Sequence, residues 1–414
     1  MAVITVAGAH NTTVTLTYAS DENVALARQM AALITAGVKD GTILPADSKD
    51  GPPPPLAPGQ IGEFVASTNS VTFLPSGYDN VVVPDTASSV VIFGSGDENQ
   101  KVLVGSGNLN FNAAGGSGTV AGGDGNDQIV VPGNDMGNWL IATGQGNDTI
   151  RALGSGNDSI SAGSGNNFVQ LGSGSTQITT GGADTILASS GSETIGALQA
   201  GSSPATDVVF GNSSMLLLFA DGGATVFGGT GSDTVFGGTG PDLLEGGTAG
   251  NNFLQAGSGP ATLFAGGSGD QLFAGGSAPQ QLHASSGNET LTGAFASGQD
   301  TFYGGSGNDQ ITGSTGQSTF VLGTGNATIS AIPSSSFQSV FDVINSQTSG
   351  RTDLVTGLTN ASQLEIQLTG YGPNEAAKAL AGQTTNGISV SITLSDNTMI
   401  TFANITHLTS GNFS

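Results

Sequence analysis

Acidic residues recur in this chain at one fixed place in a nine-residue unit. Gly228–Glu245 reads GGTGSDTVF and then GGTGPDLLE without a spacer, and both units fit G-G-x-G-x-D-x-U-x, where U is a large apolar residue. Glycines at positions one, two and four let the backbone take positive φ and turn sharply. An Asp carboxylate at position six then joins the turn carbonyls as a set of hard oxygen ligands, the chemistry that suits Ca²⁺. Complete matches recur at Gly122–Val130 (GGDGNDQIV) and Gly304–Thr312 (GGSGNDQIT), and near matches at Thr143–Arg151 (TGQGNDTIR) and Leu153–Ser161 (LGSGNDSIS).

The candidate metal ligands are Asp127, Asp148, Asp158, Asp184, Asp233, Asp242, Glu289, Asp300 and Asp309, with Ca²⁺ as the expected ion. If two units make one coil, an ion between stacked turns needs acids about 18 to 20 residues apart. Asp233 and Asp242 then fall on opposite edges, Asp233 stacks near Asn252, and Asp148 stacks near Asn167. Glu289 with Asp309 and Asp127 with Asp148 are the better-spaced acid pairs. Turns such as LGSGSTQIT (Leu171–Thr179), AGSGPATLF (Ala256–Phe264) and LGTGNATIS (Leu322–Ser330) carry no acid, so Asn, Ser and Thr hydrogen bonds are expected to hold them. A few calcium sites, not a continuous ion ladder, are predicted.

The element that presents these acids is a turn followed by a short strand, with one apolar side chain pointing inward, as at Val235 and Leu244. Such half-coils stack into a parallel β-roll. The apolar position can be followed through Phe73, Val82 and Val91, then from Ile129 to Ile195, and again from Val226 through Val321 to Ile329 in steps of eight to twelve residues. This predicts an all-β fold, a parallel β-roll or β-helix solenoid of roughly 15 coils. Met215–Phe219 (MLLLF) breaks the alternation and reads as a wholly buried strand, with an exposed subunit contact as the other reading.

With these motifs the chain resembles the repeats-in-toxin (RTX) family of secreted calcium-binding proteins. The resemblance implies calcium held between stacked turns and folding outside the cell. In the family pattern consecutive turns supply acids on both edges, and the acid-free turns here depart from it.

Residues 1–50 read as a ββα module. Val3–Val6 and Val14–Tyr18 alternate as a hairpin, Ser20 caps a helix with Asp21 and Glu22 in its first turn, and Leu26, Met30, Leu33 and Ile34 form its apolar face before Gly37 and Lys39 end it. The module reads equally as a cap on the first coil or as an assembly device. Residues 51–60 contain GPPPPLAP, a stiff spacer behind which the module could stand off and reach a neighbouring copy. Residues 61–345 form the solenoid. Residues 346–414 form a mainly-β cap, with a strand at Leu364–Leu368, a helix at Pro373–Ala381 and a hairpin of Ile388–Leu394 and Met399–Ile405. The closing LSDNTMITFANITHLTSGNF resembles the uncleaved C-terminal address of RTX proteins exported by type I secretion.

Composition narrows the function classes. The 414 residues include 68 Gly and no Cys, and 31 acidic against 7 basic residues give a net charge of −24. Nucleic acid is excluded as a partner because a phosphate-binding face needs Lys and Arg. No apolar run is long enough to span a membrane, and the N-terminus lacks a basic, then apolar, secretory signal. Neither an HExxH nor a GxSxG motif occurs, the three histidines (His10, His283 and His407) are far apart, and residues 61–345 hold only Lys101 and Arg151 as bases. The sequence therefore predicts no enzyme. The expected function is a secreted structural protein whose partner is itself, in a surface lattice or a filament. An adhesin that binds a cell-surface polysaccharide or another surface is the alternative, ahead of a polysaccharide-active β-helix enzyme.

Overall fold

A computed structural model describes residues 1–18, 23–197, 206–211, 216–333, 336–345 and 350–414. The chain divides into two compact units, Met1–Met215 and Leu216–Ser414. In each, successive strands alternate between two parallel ladders, so a strand and the turn after it make half a coil.

In the first unit, ladder one runs from Ile43–Asp47 and Ile61–Val65 up to Glu193–Ala197, and ladder two runs from Val71–Phe73 up to Thr206–Phe210. Inward residues stack in register. Phe64, Val81, Val102, Val120, Ile141, Ile160, Ile178 and Ile195 form one interior column, and Ile92, Phe111, Ile129, Ile150, Val169 and Ile186 form the facing one. All are buried. The expected apolar positions from Ile129 to Ile195 are therefore correct, but the three lead-in positions are not. Thr72 points inward and Phe73 is 69% exposed, Ile92 is inward in place of Val91, and Val82 lies on the outer face. A one-residue offset exchanges the faces of a strand.

The second unit repeats the plan. Leu218, Val235, Leu254, Leu272, Leu291, Ile311, Ile329 and Val355 line one wall, and Val226, Leu244, Leu263, Leu282, Phe302, Phe320, Phe341 and Ile366 the other. Phe320, not Val321, is the inward residue of its strand. Within the MLLLF run, Met215 lies outside the described residues. Leu216–Phe219 is an alternating strand, with Leu216 and Leu218 inward and Phe219 47% exposed, so the reading of a wholly buried strand is corrected. Both ladders continue past residue 345. Met399–Ala403 pairs in parallel with Thr352–Thr356 and antiparallel with Ser389–Thr393, and the helix expected near Pro373 spans Glu375–Ala381.

At the N-terminus, β1 (Ala2–Ala7) and β2 (Thr13–Tyr18) form an antiparallel hairpin, and α1 spans Val24–Asp40. The expected cap at Ser20 with Asp21 and Glu22 lies outside the described residues; Asn23 occupies the cap position. The buried face of α1 is Val24, Ala27, Met30, Ala31, Ile34 and Gly37, while Leu33, expected on it, is 55% exposed. The helix ends at Gly41, whose φ of 81° is a left-handed C-cap, and Gly37 instead lets Ile43 approach, since a Cβ there would lie 2.5 Å from Ile43 Cδ1.

This element does not stand off. Ile4, Val6, Val14, Leu16, Met30 and Ile34 share one apolar cluster with Val65, Val82, Leu103 and Ala121, which lie side by side on the outer face of ladder one. Burying each such side chain contributes about 1.5–3 kcal/mol, so the seam fastens the element to its own solenoid. The Pro-rich run is fastened as well. Tyr78 donates its hydroxyl to the Pro54 carbonyl at 3.0 Å.

Candidate metal centre

In the glycine turns, positions five and six latch neighbouring coils in opposite directions. The position-six acid accepts, through Oδ1, a backbone N–H from the coil before: Leu109 to Asp127 at 2.9 Å, Asp127 to Asp148 at 2.7 Å. The position-five Asn accepts one from the coil after: Asn126 to Asn108 and Asn147 to Asn126, both at 2.8 Å. The dipeptide Asn-Asp in GGDGNDQIV and its relatives thus satisfies turn donors on both sides.

This latch places eight of the nine predicted ligands as acceptors, and Glu289 as the donor to Asp309. In the turns entering ladder two of the first unit, Asp127, Asp148, Asn167, Asp184 and Asp207 form one column, each accepting the N–H of the residue before it in the column at 2.7–3.0 Å. Asp158 stands in the other column and accepts from Trp139 at 2.8 Å. In the second unit, Asp233, Asn252 and Asp270 follow one another at 2.7 and 2.8 Å, and Glu289 pairs with Asp309 at 3.1 Å. Asp242 and Asp300 belong to the opposite column, accepting from Ala224 and Gln280 at 3.0 Å. The expected stacking of Asp148 on Asn167, Asp233 on Asn252 and Glu289 on Asp309 is what the structure shows, and Asp233 and Asp242 do occupy different edges.

The second carboxylate oxygen divides the turns into two kinds. Oδ2 of Asp127, Asp148, Asp184, Asp233, Asp242 and Asp300 is buried without a hydrogen-bond partner. In the other kind the side chain closes on its own turn. Asp309 Oδ2 accepts from Gly305 N at 2.8 Å, Asp270 Oδ2 from Gly266 and Gly267 N at 2.8 and 3.0 Å, and Gln280 Oε1 from Gly275 N at 2.7 Å. Glu289 is met by Ser285 N and Oγ at 3.3 and 3.1 Å.

A buried carboxylate without a partner requires a proton or a cation. Burial, the dominant cause, pushes Asp127 up to about 8, Asp184 to about 7, and Asp148, Asp158 and Asp233 to about 6. Burial also raises Asp242 and Asp300, and burial with the neighbouring Asp309 charge raises Glu289 to about 7. The cradle itself demands glycine. A Cβ at Gly122, Gly228 or Gly237 would lie 2.7, 2.3 or 2.2 Å from Oδ2 of Asp127, Asp233 or Asp242.

These orphaned oxygens over glycine turns fit a hard cation that takes its remaining ligands from backbone carbonyls, as Ca²⁺ does. Among the described residues no three His, Cys, Asp or Glu side chains cluster, so side chains alone do not complete a coordination sphere. Asp353 supplies a counterexample within the same fold. Its Oδ1 accepts from Ala327 at 2.9 Å, and its Oδ2 meets Arg351 Nε at 2.9 Å with both side chains buried. There the chain brings its own cation.

Three column acids escape the sequence template. Asp270 sits in GGSGDQLF, one residue short, and no G-G-x-G motif precedes Asp207 or Asp353 in the sequence. Only an Asp two residues before an inward apolar residue marks them.

Residues 143–178, 227–248, 246–278, 283–320 and 296–329 match the profile of the RTX calcium-binding nonapeptide repeat. No curated protein and no solved structure matches the chain.

Proposed function

From a central region built of RTX calcium-binding nonapeptide repeats, we propose that this is a secreted calcium-binding structural protein, without reaction chemistry, that associates with copies of itself outside the cell. RTX repeats are typical of secreted bacterial proteins, and among the described residues no helix is long and apolar enough to cross a membrane. The observation that carries the calcium reading is the repeated orphaned Oδ2 in a chain of net charge −24. Calcium there neutralises carboxylates that otherwise repel one another and holds adjacent turns together. Asp127, Asp148, Asp184, Asp233, Asp242 and Asp300 are the residues that would hold it.

Self-association is supported by the outer face of ladder one in the second unit. From Leu216–Phe219 through Thr290–Thr292 its outward side chains are Leu217, Phe219, Thr234, Phe236, Phe253, Gln255, Gln271, Phe273, Thr290 and Thr292, without a single charge. Phe219 and Phe236 stack at 5.0 Å with 2° between their planes, and Phe253 and Phe273 follow at 5.5 and 4.8 Å. The face-to-face pair of Phe219 and Phe236 leaves less open ring surface for a sugar, and the uncharged stripe suits another flat apolar surface better. Beside it Phe295 is 83% exposed.

Sedimentation and electron microscopy with calcium added test the proposal, comparing the natural chain with Phe236→Glu/Phe253→Glu. Ordered assemblies from the natural chain alone support it. If both remain monomeric at high concentration with calcium, self-association is wrong and binding to polysaccharides is the reading to pursue.

A further inference from the structure

The N-terminal element reaches the first acid turns as well as the apolar seam. Asp85 grips the end of β2, accepting Thr17 N at 3.0 Å on Oδ1 and Thr17 Oγ1 at 2.6 Å on Oδ2, while Oδ1 also accepts Ser106 N at 3.0 Å. Asn23, at the start of α1, donates from Nδ2 to the Gly122 and Thr143 carbonyls at 3.3 and 2.7 Å, the position-one carbonyls of two successive coils. Between these clasps lies Tyr18. It is 1% exposed, and its hydroxyl is buried with no hydrogen-bond partner. It shares one buried apolar cluster with Ala121, the residue before Gly122. Asp127 in turn presents the buried, unpartnered Oδ2 that overhangs Gly122.

Two orphaned oxygens from different elements, a phenol and a carboxylate, thus belong to segments clasped together at Ala121 and Gly122. Oxygen-only sets of this mixed charge are what a hard divalent cation takes. We propose that a calcium ion held at Asp127 takes the Tyr18 hydroxyl oxygen as a ligand, so that the ion staples the N-terminal element to the solenoid. This rests on the calcium reading above and adds a site that no turn residue completes alone. Because binding free energies are reciprocal, calcium then tightens docking of the element, and docking tightens calcium.

The test uses the full chain and Tyr18→Phe, which removes only the oxygen, with Asp233→Asn in the second unit as a control. Calcium titration by calorimetry and hydrogen exchange over residues 2–18 and 24–40 are measured with calcium and with chelator. Expected for Tyr18→Phe is one site weakened about tenfold, the scale of losing a supporting metal contact, with loss of the calcium-induced slowing of exchange in residues 2–40. In chelator the variant should be at least as stable as the natural chain, since a buried unpartnered hydroxyl has gone. Calcium binding and exchange unchanged by Tyr18→Phe, with Asp233→Asn still losing a site, overturns the staple and leaves the calcium reading intact. Absence of calcium binding in the natural chain overturns both.

Discussion

At the scale of single residues, the acid columns carry a built-in comparison, because Asn occupies the same slot at Asn167 and Asn252. Asn252 keeps the inter-coil bond with Oδ1 and turns Nδ2 onto the Gly247 carbonyl at 2.6 Å, closing its turn with no ion. Asp148→Asn should therefore raise the calcium-free stability by about 1–3 kcal/mol, the cost of a polar group left unpaired, and shrink the calcium-induced rise in Tm. A calcium-free Tm that falls instead would show that Oδ2 already has its partner. The pH dependence has a definite sign. Asp127, Asp148, Asp184 and Asp233 are raised from 3.8 to between about 6 and about 8, so their protonated forms stabilise the calcium-free fold below pH 4 and that stability drains away as pH climbs through 6 to 8. Melting in chelator should fall across this window and calcium should restore it; a chelated Tm that climbs with pH contradicts the assignment. The candidate acids were legible because G-G-x-G-x-D fixes both turn and ligand. Asp270 was not, since a one-residue deletion hides it, and the bond from Asn23 to the Gly122 carbonyl joins residues 99 apart in the chain, which no local pattern encodes.

At the scale of elements, inward apolar residues were readable wherever a single one stood between polar neighbours, as at Ile150 and Ile160. Reading failed where they came in runs, and at Val71–Phe73, where the polar Thr72 takes the inward place. Val81-Val82-Val83 and Val102-Leu103-Val104 are apolar on both faces because the inner face packs in the solenoid and the outer face meets the hairpin and α1. Such doublets mark a strand covered on both sides, and they are the signal by which docking of the N-terminal element could have been foreseen. A Cβ at Gly37 would press on Ile43, so Gly37→Ala should lower stability by about 1–3 kcal/mol through overpacking, and the Tm with it, despite alanine's better helix propensity. A variant that melts at or above the natural chain would mean that Ile43 yields without cost.

At the scale of the whole molecule, export and folding are expected to be separated by calcium. A passenger fused to residues 346–414 should leave a cell that carries a type I channel, and its retention inside would remove the secretion address from that region. Once outside, the coils do not all stand in equal need of metal. Both carboxylate oxygens of Asp353 are already partnered, Oδ2 by Arg351 Nε and Oδ1 by Ala327 N of the neighbouring coil. In chelator, amide protons of 326–330 and 352–356 should therefore remain protected while those around Asp233 and Asp242 exchange; uniform exchange across the second unit would refute this. The guanidinium makes that coil a ready-formed seed. Among the described residues of the second unit, Asp300, Asp242 and Asp233 present an unpartnered Oδ2, whereas Asp309, Asp270 and Asn252 close their own turns, so the calcium concentration should decide whether winding passes those three coils.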